Sequence, residues 1–145
     1  MDRKKILLVE DDHNILKMLE ETIDSHIEIV RVRAVDEALG AVEEDGPFDC
    51  FIVDLQIVPK GLTFEEMVDF QNREGYAFLI KFWEGKNEEV ITQLKAKTII
   101  CSGFIREFKK EYTDDIKGLL LVDKNKGFEK KISLLVNKIV NHDNQ

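Results

Sequence analysis

The chain has 145 residues, of which 43% are hydrophobic, and a formal net charge of −8. This length is typical of one globular domain with a buried core, so we predict a single domain over residues 1–145. The negative charge argues against direct nucleic acid binding, because a phosphate backbone would be repelled. The longest apolar runs, such as residues 119–122, are too short to span a membrane or to form a signal peptide. We therefore expect a cytoplasmic protein with neither a nucleic acid nor a membrane partner.

The first part of the chain alternates apolar runs with helical patterns. Lys5–Val9 is almost entirely apolar and predicts a first strand that is buried in a sheet. A helix with an apolar stripe at helical spacing follows it. Residues 27–32 alternate apolar and polar side chains, which predicts a strand at the edge of the sheet. A short helix over residues 36–44 then ends, because Pro47 cannot continue it.

Residues 48–54 predict a third strand that ends in a carboxylate. Phe51, Ile52 and Val53 form an apolar run that suits burial on both faces of a parallel sheet. Asp54 would then lie at the edge where open α/β sheets bind their ligands. For an isolated aspartate after a strand, the alternative role is to cap the following turn.

The segment after this strand is the least regular part of the chain. Thr63 and Glu66 fit a capping box that begins a short helix, which we expect to extend to about residue 72. We also expect Phe64, Met67 and Val68 to pack this helix on the body of the protein.

The remaining sequence returns to regular strand and helix patterns. The predicted helices cover residues 75–83, 87–94, 105–112 and 128–141. The predicted strands cover residues 98–101 and 119–122. Strands that alternate with helices through short connections predict an α/β fold, in which helices cover both faces of a parallel sheet.

Neither cysteine nor histidine chemistry is indicated. Cys50 and Cys101 lie inside apolar runs, so we predict buried thiols and neither a disulfide nor a metal site. His13, His26 and His142 lack the spacing of metal ligands, which argues against a zinc site.

Five polar side chains stand at predicted strand ends. They are Glu10 and Asp11 after the first strand, Asp54 after the third, Ser102 after the fourth and Lys124 after the fifth. In a parallel sheet these ends share one edge, so the side chains can converge. Three carboxylates in one cleft repel each other, and a hard divalent cation such as Mg²⁺ would relieve the repulsion. Ser102 and Lys124 would then hold the oxygens of a phosphoryl group on Asp54. Considered one by one, these residues also have ordinary alternatives as helix caps, a turn residue and a surface lysine.

The ordered motifs LLVEDD, FIVD with a Pro-Lys-Gly loop, IICSG and LLLVDK resemble the receiver domain of two-component response regulators. The resemblance covers almost the whole chain and implies a flavodoxin-like sheet in the order 2-1-3-4-5. It also implies phosphorylation by a sensor histidine kinase or a phosphotransfer protein. The site residues implied by the resemblance are the phosphoacceptor Asp54, the switch hydroxyl of Ser102, the phosphate-pairing Lys124, and the Mg²⁺ ligands Glu10, Asp11, Asp54 and the backbone carbonyl of Gln56.

The sequence departs from the pattern of this family at several positions. Asn125 replaces the proline after the lysine, so the loop that holds the lysine is expected to be built differently. Leu121 replaces the aromatic switch residue, Gly103 replaces the usual alanine, and Pro59 comes one residue late. Residues 60–74 lengthen the connection after the third strand, and we interpret them as a partner surface, a lid or a packed decoration.

Two functional hypotheses follow. The first is a phosphorylation-dependent switch that catalyses its own phosphorylation and dephosphorylation, regulates an unknown downstream protein and is not a metabolic enzyme. The second is a receiver-like interaction module that has lost phosphorylation, which Leu121 and Asn125 favour. A phosphatase that uses Asp54 would need a second aspartate where Gln56 stands, and a nucleotide-binding role is disfavoured because no Gly-rich loop follows the first strand.

Overall fold

The computed structural model describes residues 3–141, and its centre is a parallel sheet of five strands. The strands are β1 (Lys5–Val9), β2 (Glu28–Val32), β3 (Cys50–Val53), β4 (Thr98–Ser102) and β5 (Leu120–Asp123). Their order across the sheet is β2-β1-β3-β4-β5. The predicted α/β fold and strand order are confirmed, and the third strand is shorter at both ends than predicted. His142 lies outside the described residues.

Burial explains why these segments form the sheet. Every residue of β3 and β4 is buried, as is all of β1 after its first residue. These three strands occupy the centre of the sheet, where helices cover both faces and favour apolar side chains on both. The buried polar residues of β4, Thr98 and Ser102, lie only at the two ends of the strand. Every residue of β2 is partly exposed, which confirms the prediction of an edge strand from its alternating pattern.

Seven helices surround the sheet within residues 3–141. They are α1 (His13–Thr22), α2 (Val35–Glu44), α3 (Phe64–Asp69), α4 (Glu74–Trp83), α5 (Glu88–Ala96), α6 (Ile105–Glu111) and α7 (Phe128–Val140). Helices α1 and α7 cover one face of the sheet, and α2, α4 and α6 cover the other, each pair of layers enclosing an apolar core. In the part of the chain that the structure describes, no helix has the length and apolar character needed to cross a membrane.

The connection between β3 and β4 contains three helices, α3, α4 and α5, and its predicted enlargement over residues 60–74 is confirmed by the presence of α3. The capping box of α3 is confirmed: Thr63 Oγ1 accepts a hydrogen bond from the Glu66 amide at 3.1 Å, and Glu66 Oε1 accepts one from the Thr63 amide at 2.8 Å. The helix ends at Asp69, earlier than expected. A salt bridge of 2.7 Å between Glu66 and Lys81 ties α3 to α4.

The expected packing of α3 on the body of the protein is wrong. The exposed fractions of Phe64, Val68 and Met67 are 76%, 59% and 37%. The helix is attached instead through Leu62 and Phe70, which flank it and are partly buried against the core. An apolar pattern at helical spacing shows that a face exists, but it does not show whether the rest of the chain covers that face.

Both cysteines are buried thiols, which confirms the sequence prediction. Cys50 lies in β3 and Cys101 in β4, and neither forms a disulfide. Burial raises the pKa of each thiol to about 12, because an apolar environment disfavours the charged thiolate. The two thiols therefore contribute to the core as small hydrophobic groups.

Candidate functional site

The pairing of β1 with β3 brings Glu10 beside Asp54. Val9 and Val53 form the last matched pair of the two strands, and the Asp54 amide donates to the Val9 carbonyl at 3.0 Å. Glu10 and Asp54 follow these residues directly, so both leave the sheet at the same level. They are nearly buried, with exposed fractions of 2% and 8%. Two neighbouring carboxylates that are buried this deeply require a compensating positive charge.

Asp11 completes a group of three carboxylates at this edge. One oxygen each from Glu10, Asp11 and Asp54 lies within 4.8 Å of the other two. Asp11 is exposed whereas the other two are buried, so the group is accessible from solvent on one side. Because Mg²⁺ binds a few carboxylate oxygens and retains several water ligands, this donor set fits the ion that the sequence indicates.

The ammonium group of Lys124 lies between the two buried carboxylates. Its Nζ donates to Glu10 Oε1 at 2.6 Å and to Asp54 Oδ2 at 3.1 Å. The backbone amide of Lys124 also donates to the Ser102 carbonyl at 3.0 Å, which holds the end of β5 beside the end of β4. The Lys124 side chain is only 19% exposed, so water screens these ion pairs weakly.

The crowding of charge shifts the pKa values of Glu10 and Lys124. Burial, followed by the negative charge of Asp54, raises the pKa of Glu10 to about 7, although Lys124 opposes this shift. Burial alone would lower the pKa of Lys124, but its hydrogen bond to Glu10 and the charges of both carboxylates outweigh burial and raise that pKa. In the metal-free protein, Glu10 therefore takes up a proton near neutral pH.

Ser102 and Gln56 lie beside this cluster. Ser102 is 1% exposed at the end of β4, and its Oγ accepts a hydrogen bond from the Phe104 amide at 3.2 Å. The Gln56 amide donates to Asp54 Oδ1 at 3.4 Å, and the Gln56 side chain donates to Asn72 Oδ1 at 3.1 Å. The charged side chains that converge are therefore those of Glu10, Asp11, Asp54 and Lys124, and the Ser102 hydroxyl lies at the end of the adjacent strand β4. The role of the Gln56 carbonyl as a metal ligand stays a prediction.

Gly75 supports the site, although the sequence did not single it out. A Cβ atom at this position would lie 1.9 Å from the Asp54 carbonyl oxygen. The Gly75 amide also donates to the Leu55 carbonyl at 2.8 Å, so the first turn of α4 packs directly on the backbone around Asp54. A glycine near the start of a predicted helix is visible in the sequence, but the backbone that it touches is not.

Two arginines near the site were also not predicted from the sequence. Arg31 Nη1 donates to the Glu10 carbonyl at 3.3 Å, across 21 residues of sequence. Arg73 is 7% exposed and forms an ion pair of 2.6 Å with Glu111, across 38 residues. Neither arginine belongs to a local motif, because the groups that they bind are distant in sequence.

The departures from the family pattern occupy defined positions. Leu121 is partly exposed in β5. A Cβ atom at Gly103 would meet nothing within 4 Å, so crowding does not require glycine there. After Lys124, the Asn125 amide donates to the Asp123 carbonyl at 2.9 Å and the Asn125 carbonyl accepts from the Phe128 amide at 3.1 Å. Asn125 therefore forms part of a turn that leads into α7.

Neither the protein-family models nor the curated proteins contain a match to this sequence. Solved structures do match. The phosphorylated cyanobacterial phytochrome response regulator RcpA has a TM-score of 0.69 and 17% identity, over 97% of this chain and 96% of that one. The CheY-like receiver domain protein from Methanospirillum hungatei JF-1 has a TM-score of 0.67 and 17% identity, over 99% and 98%. The Mn²⁺-bound form of response regulator Rcp1 has a TM-score of 0.60 and 18% identity, over 93% and 91%.

The chain has the fold of a response regulator receiver domain. At these identities the comparison establishes the shared fold. Within this receiver fold, the acidic cluster stands at the carboxyl ends of β1 and β3, and Lys124 stands at the end of β5. This is the edge of an open α/β sheet at which ligands and chemistry are generally found.

Proposed function

We propose that the chain is a phosphorylation-dependent signalling switch that accepts a phosphoryl group on Asp54. The observation that carries this proposal is the bridge formed by the Lys124 ammonium between Glu10 and Asp54, with Asp11 close to both carboxylates. A carboxylate that accepts a phosphoryl group needs positive charge around it, because negative charge accumulates on the transferred oxygens.

Asp54 acts as the nucleophile. One of its carboxylate oxygens attacks the phosphorus of a donor phosphohistidine, and the new O–P bond makes an acyl phosphate. The P–N bond of the donor breaks, and its electron pair returns to the imidazole. Lys124, which already contacts Asp54 Oδ2, then pairs with a phosphoryl oxygen.

The carboxylates of Glu10, Asp11 and Asp54, with the backbone carbonyl of Gln56, would hold Mg²⁺. When bound, the ion supplies charge neutralisation for phosphoryl transfer. The mutual distances of the three carboxylates support this assignment, and a protein of the same fold has been solved with Mn²⁺ bound. Until the ion binds, Lys124 supplies the positive charge between Glu10 and Asp54.

Ser102 connects phosphorylation to a change in shape. Its Oγ accepts the hydrogen bond of the Phe104 amide, and it gives up this bond when it turns to donate to the phosphoryl group. The residues after Ser102 lead directly into α6, so the rearrangement reaches the surface of that helix. A partner that binds one arrangement of α6 better than the other would detect phosphorylation.

The donor in this proposal is a sensor histidine kinase or a phosphotransfer protein, and the phosphorylated form regulates a downstream protein. The whole process takes place in the cytoplasm, with residues 1–145 acting as one receiver domain. The chain catalyses its own phosphorylation and dephosphorylation, and it does not process a metabolite.

Incubation with acetyl phosphate and Mg²⁺ tests the proposal. We expect intact-mass analysis to detect one added phosphoryl group, which Asp54→Asn abolishes. Asp69→Asn serves as the matched control, because Asp69 is an exposed aspartate at the end of α3. A folded protein that gains no phosphoryl group, or that gains one equally in Asp54→Asn, would contradict the proposal.

The second candidate is a receiver-like interaction module that has lost phosphorylation. Leu121 in place of the aromatic switch residue and Asn125 in place of proline favour it. This alternative predicts that no acyl phosphate forms even at saturating Mg²⁺, while the fold and the ion pairs of Lys124 remain intact.

A further inference from the structure

A short segment between α3 and α4 contacts the Asp54 side of the site. Asn72 adopts a left-handed backbone conformation with φ of 63°, and its Oδ1 accepts the hydrogen bond of the Gln56 side chain at 3.1 Å. The Asn72 amide donates to Glu74 Oε2 at 2.9 Å, which anchors the segment to the start of α4. An asparagine tolerates this backbone conformation better than most residues, so the chain can turn here without strain. Asn72 thus holds the side chain of the residue whose amide reaches Asp54.

The next residue contacts the Ser102 side. Arg73 is 7% exposed, and its Nη2 and Nη1 donate to Glu111 Oε1 at 2.6 Å and to the Asn72 carbonyl at 2.8 Å. Its guanidinium lies 5.8 Å from the centre of the Phe104 ring. The Phe104 amide in turn donates to Ser102 Oγ. Arg73 therefore holds both α6 and the residue that hydrogen-bonds the candidate switch hydroxyl.

Burial of this guanidinium is costly, which makes its position informative. Removing a charged group from water is unfavourable unless hydrogen bonds and an opposite charge compensate. The Nε atom of Arg73 is buried and has no partner among the described residues, so the compensation is incomplete. Ordinary packing between the start of α4 and α6 would be better served by an apolar side chain of similar volume.

We propose that Asn72 and Arg73 are positioning residues for phosphoryl transfer to Asp54, each acting on a different side of the site. Asn72 fixes the loop that carries Gln56, and so governs the affinity for the metal ion. Arg73 fixes Phe104 and α6, and so governs where Ser102 stands when the phosphoryl group arrives. This inference rests on the proposed function, and it gives the enlarged connection between β3 and β4 a role in the reaction.

The test measures the rate of phosphorylation by acetyl phosphate as a function of Mg²⁺ concentration in the full chain. Asn72→Ala is expected to raise the Mg²⁺ concentration for half-maximal rate about threefold to tenfold, as for the loss of one hydrogen bond, with the maximal rate retained. Arg73→Met is expected to lower the maximal rate about tenfold, because misplacement of a supporting group slows the chemical step, with the Mg²⁺ dependence retained. Gln71→Ala and Arg106→Met are matched controls, because both residues are exposed neighbours.

Two further measurements separate positioning from folding and from the proposed function. If Arg73→Met does not fold, Glu111→Gln replaces it, since this variant keeps a hydrogen-bond acceptor and removes only the charge. Without any phosphoryl donor, Arg73→Met or its substitute is expected to speed amide hydrogen exchange at Phe104, and Asn72→Ala to weaken Mn²⁺ binding.

The outcomes are distinct. The inference is supported if Arg73→Met lowers only the maximal rate and Asn72→Ala changes only the Mg²⁺ dependence. It is overturned if both variants change the same parameter, or if neither differs from its control. If the unmodified chain accepts no phosphoryl group, the proposed function fails. The two measurements made without a phosphoryl donor, amide hydrogen exchange at Phe104 and Mn²⁺ binding, then still decide the positioning roles.

Discussion

Replacement of Gly75 by alanine should displace the backbone of Asp54. The added Cβ would lie 1.9 Å from the Asp54 carbonyl oxygen and 2.9 Å from Val53 Cγ1, whereas ordinary contact begins at 3.4 Å. The helix and the strand must therefore separate by about 1.5 Å, and no side-chain rotation relieves the clash because the closest atom belongs to the backbone. We expect Gly75→Ala to lower the free energy of unfolding by about 3 kcal/mol, at the upper end for overpacked cores.

Gly40 provides a matched control of opposite sign. It lies inside α2, and a Cβ there would meet nothing within 4 Å. Gly40→Ala should therefore raise the free energy of unfolding by about 0.5–1 kcal/mol, because alanine restricts the unfolded chain and favours the helix. Neither glycine has a positive φ, so the difference between the two variants reports space alone.

Urea denaturation measures both variants through the midpoint and the slope of the transition. The folded fraction of Gly75→Ala should also accept a phosphoryl group from acetyl phosphate more slowly, since the displaced carbonyl belongs to Asp54 itself. A Gly75→Ala protein at least as stable as the unmodified chain would refute the reasoning from close approach, and so would one whose free energy of unfolding equals that of Gly40→Ala.

Two further predictions concern the charges of the site. Lys124→Met should lower the free energy of unfolding of the metal-free protein by about 3 kcal/mol near pH 8, because it leaves Glu10 and Asp54 without a cation. The loss should be smaller near pH 5, where Glu10 is protonated, and urea denaturation that shows equal losses at the two pH values would contradict this. The pKa of Glu10 is raised from 4.5 to about 7, so between these pH values the folded metal-free protein retains a proton that the unfolded chain releases. The stability that this proton contributes is fully present below pH 4.5 and is lost as the pH rises through about 7. Because Mg²⁺ competes with that proton, calorimetry should detect proton release when the ion binds. The affinity for Mg²⁺ should rise up to about tenfold per pH unit below pH 7 and level off above it. An affinity that does not depend on pH would count against the assignment of Glu10 as a ligand.

The sequence predicts the framework of this fold because the framework depends on local patterns. The central strands are continuous apolar runs, and the polar residue at the end of each run marks where the strand leaves the core. The convergence of Glu10, Asp54 and Lys124 then follows from parallel topology, since the carboxyl ends of parallel strands lie at one edge. Individual distances, such as the 2.6 Å between Lys124 Nζ and Glu10 Oε1, depend on how the side chains pack in the folded protein.

The parts that the sequence did not predict depend on contacts between distant segments. Arg73 carries no local signal, because its partner Glu111 is 38 residues away. Gly75 is indistinguishable from other glycines until the backbone of Asp54 lies against it. The apolar pattern of α3 predicts that the helix packs on the body of the protein, but a pattern does not show how much surface the rest of the chain can cover, and Phe64 is 76% exposed.

The two buried cysteines can report how often the central strands open, without any introduced label. A thiol reacts with alkylating reagents as the thiolate, and Cys50 and Cys101 are both shielded from solvent and protonated in the native state. Alkylation must therefore await transient opening of the central strands, so its rate reports how often β3 and β4 open. Mass spectrometry of the alkylated peptides would resolve the two strands separately.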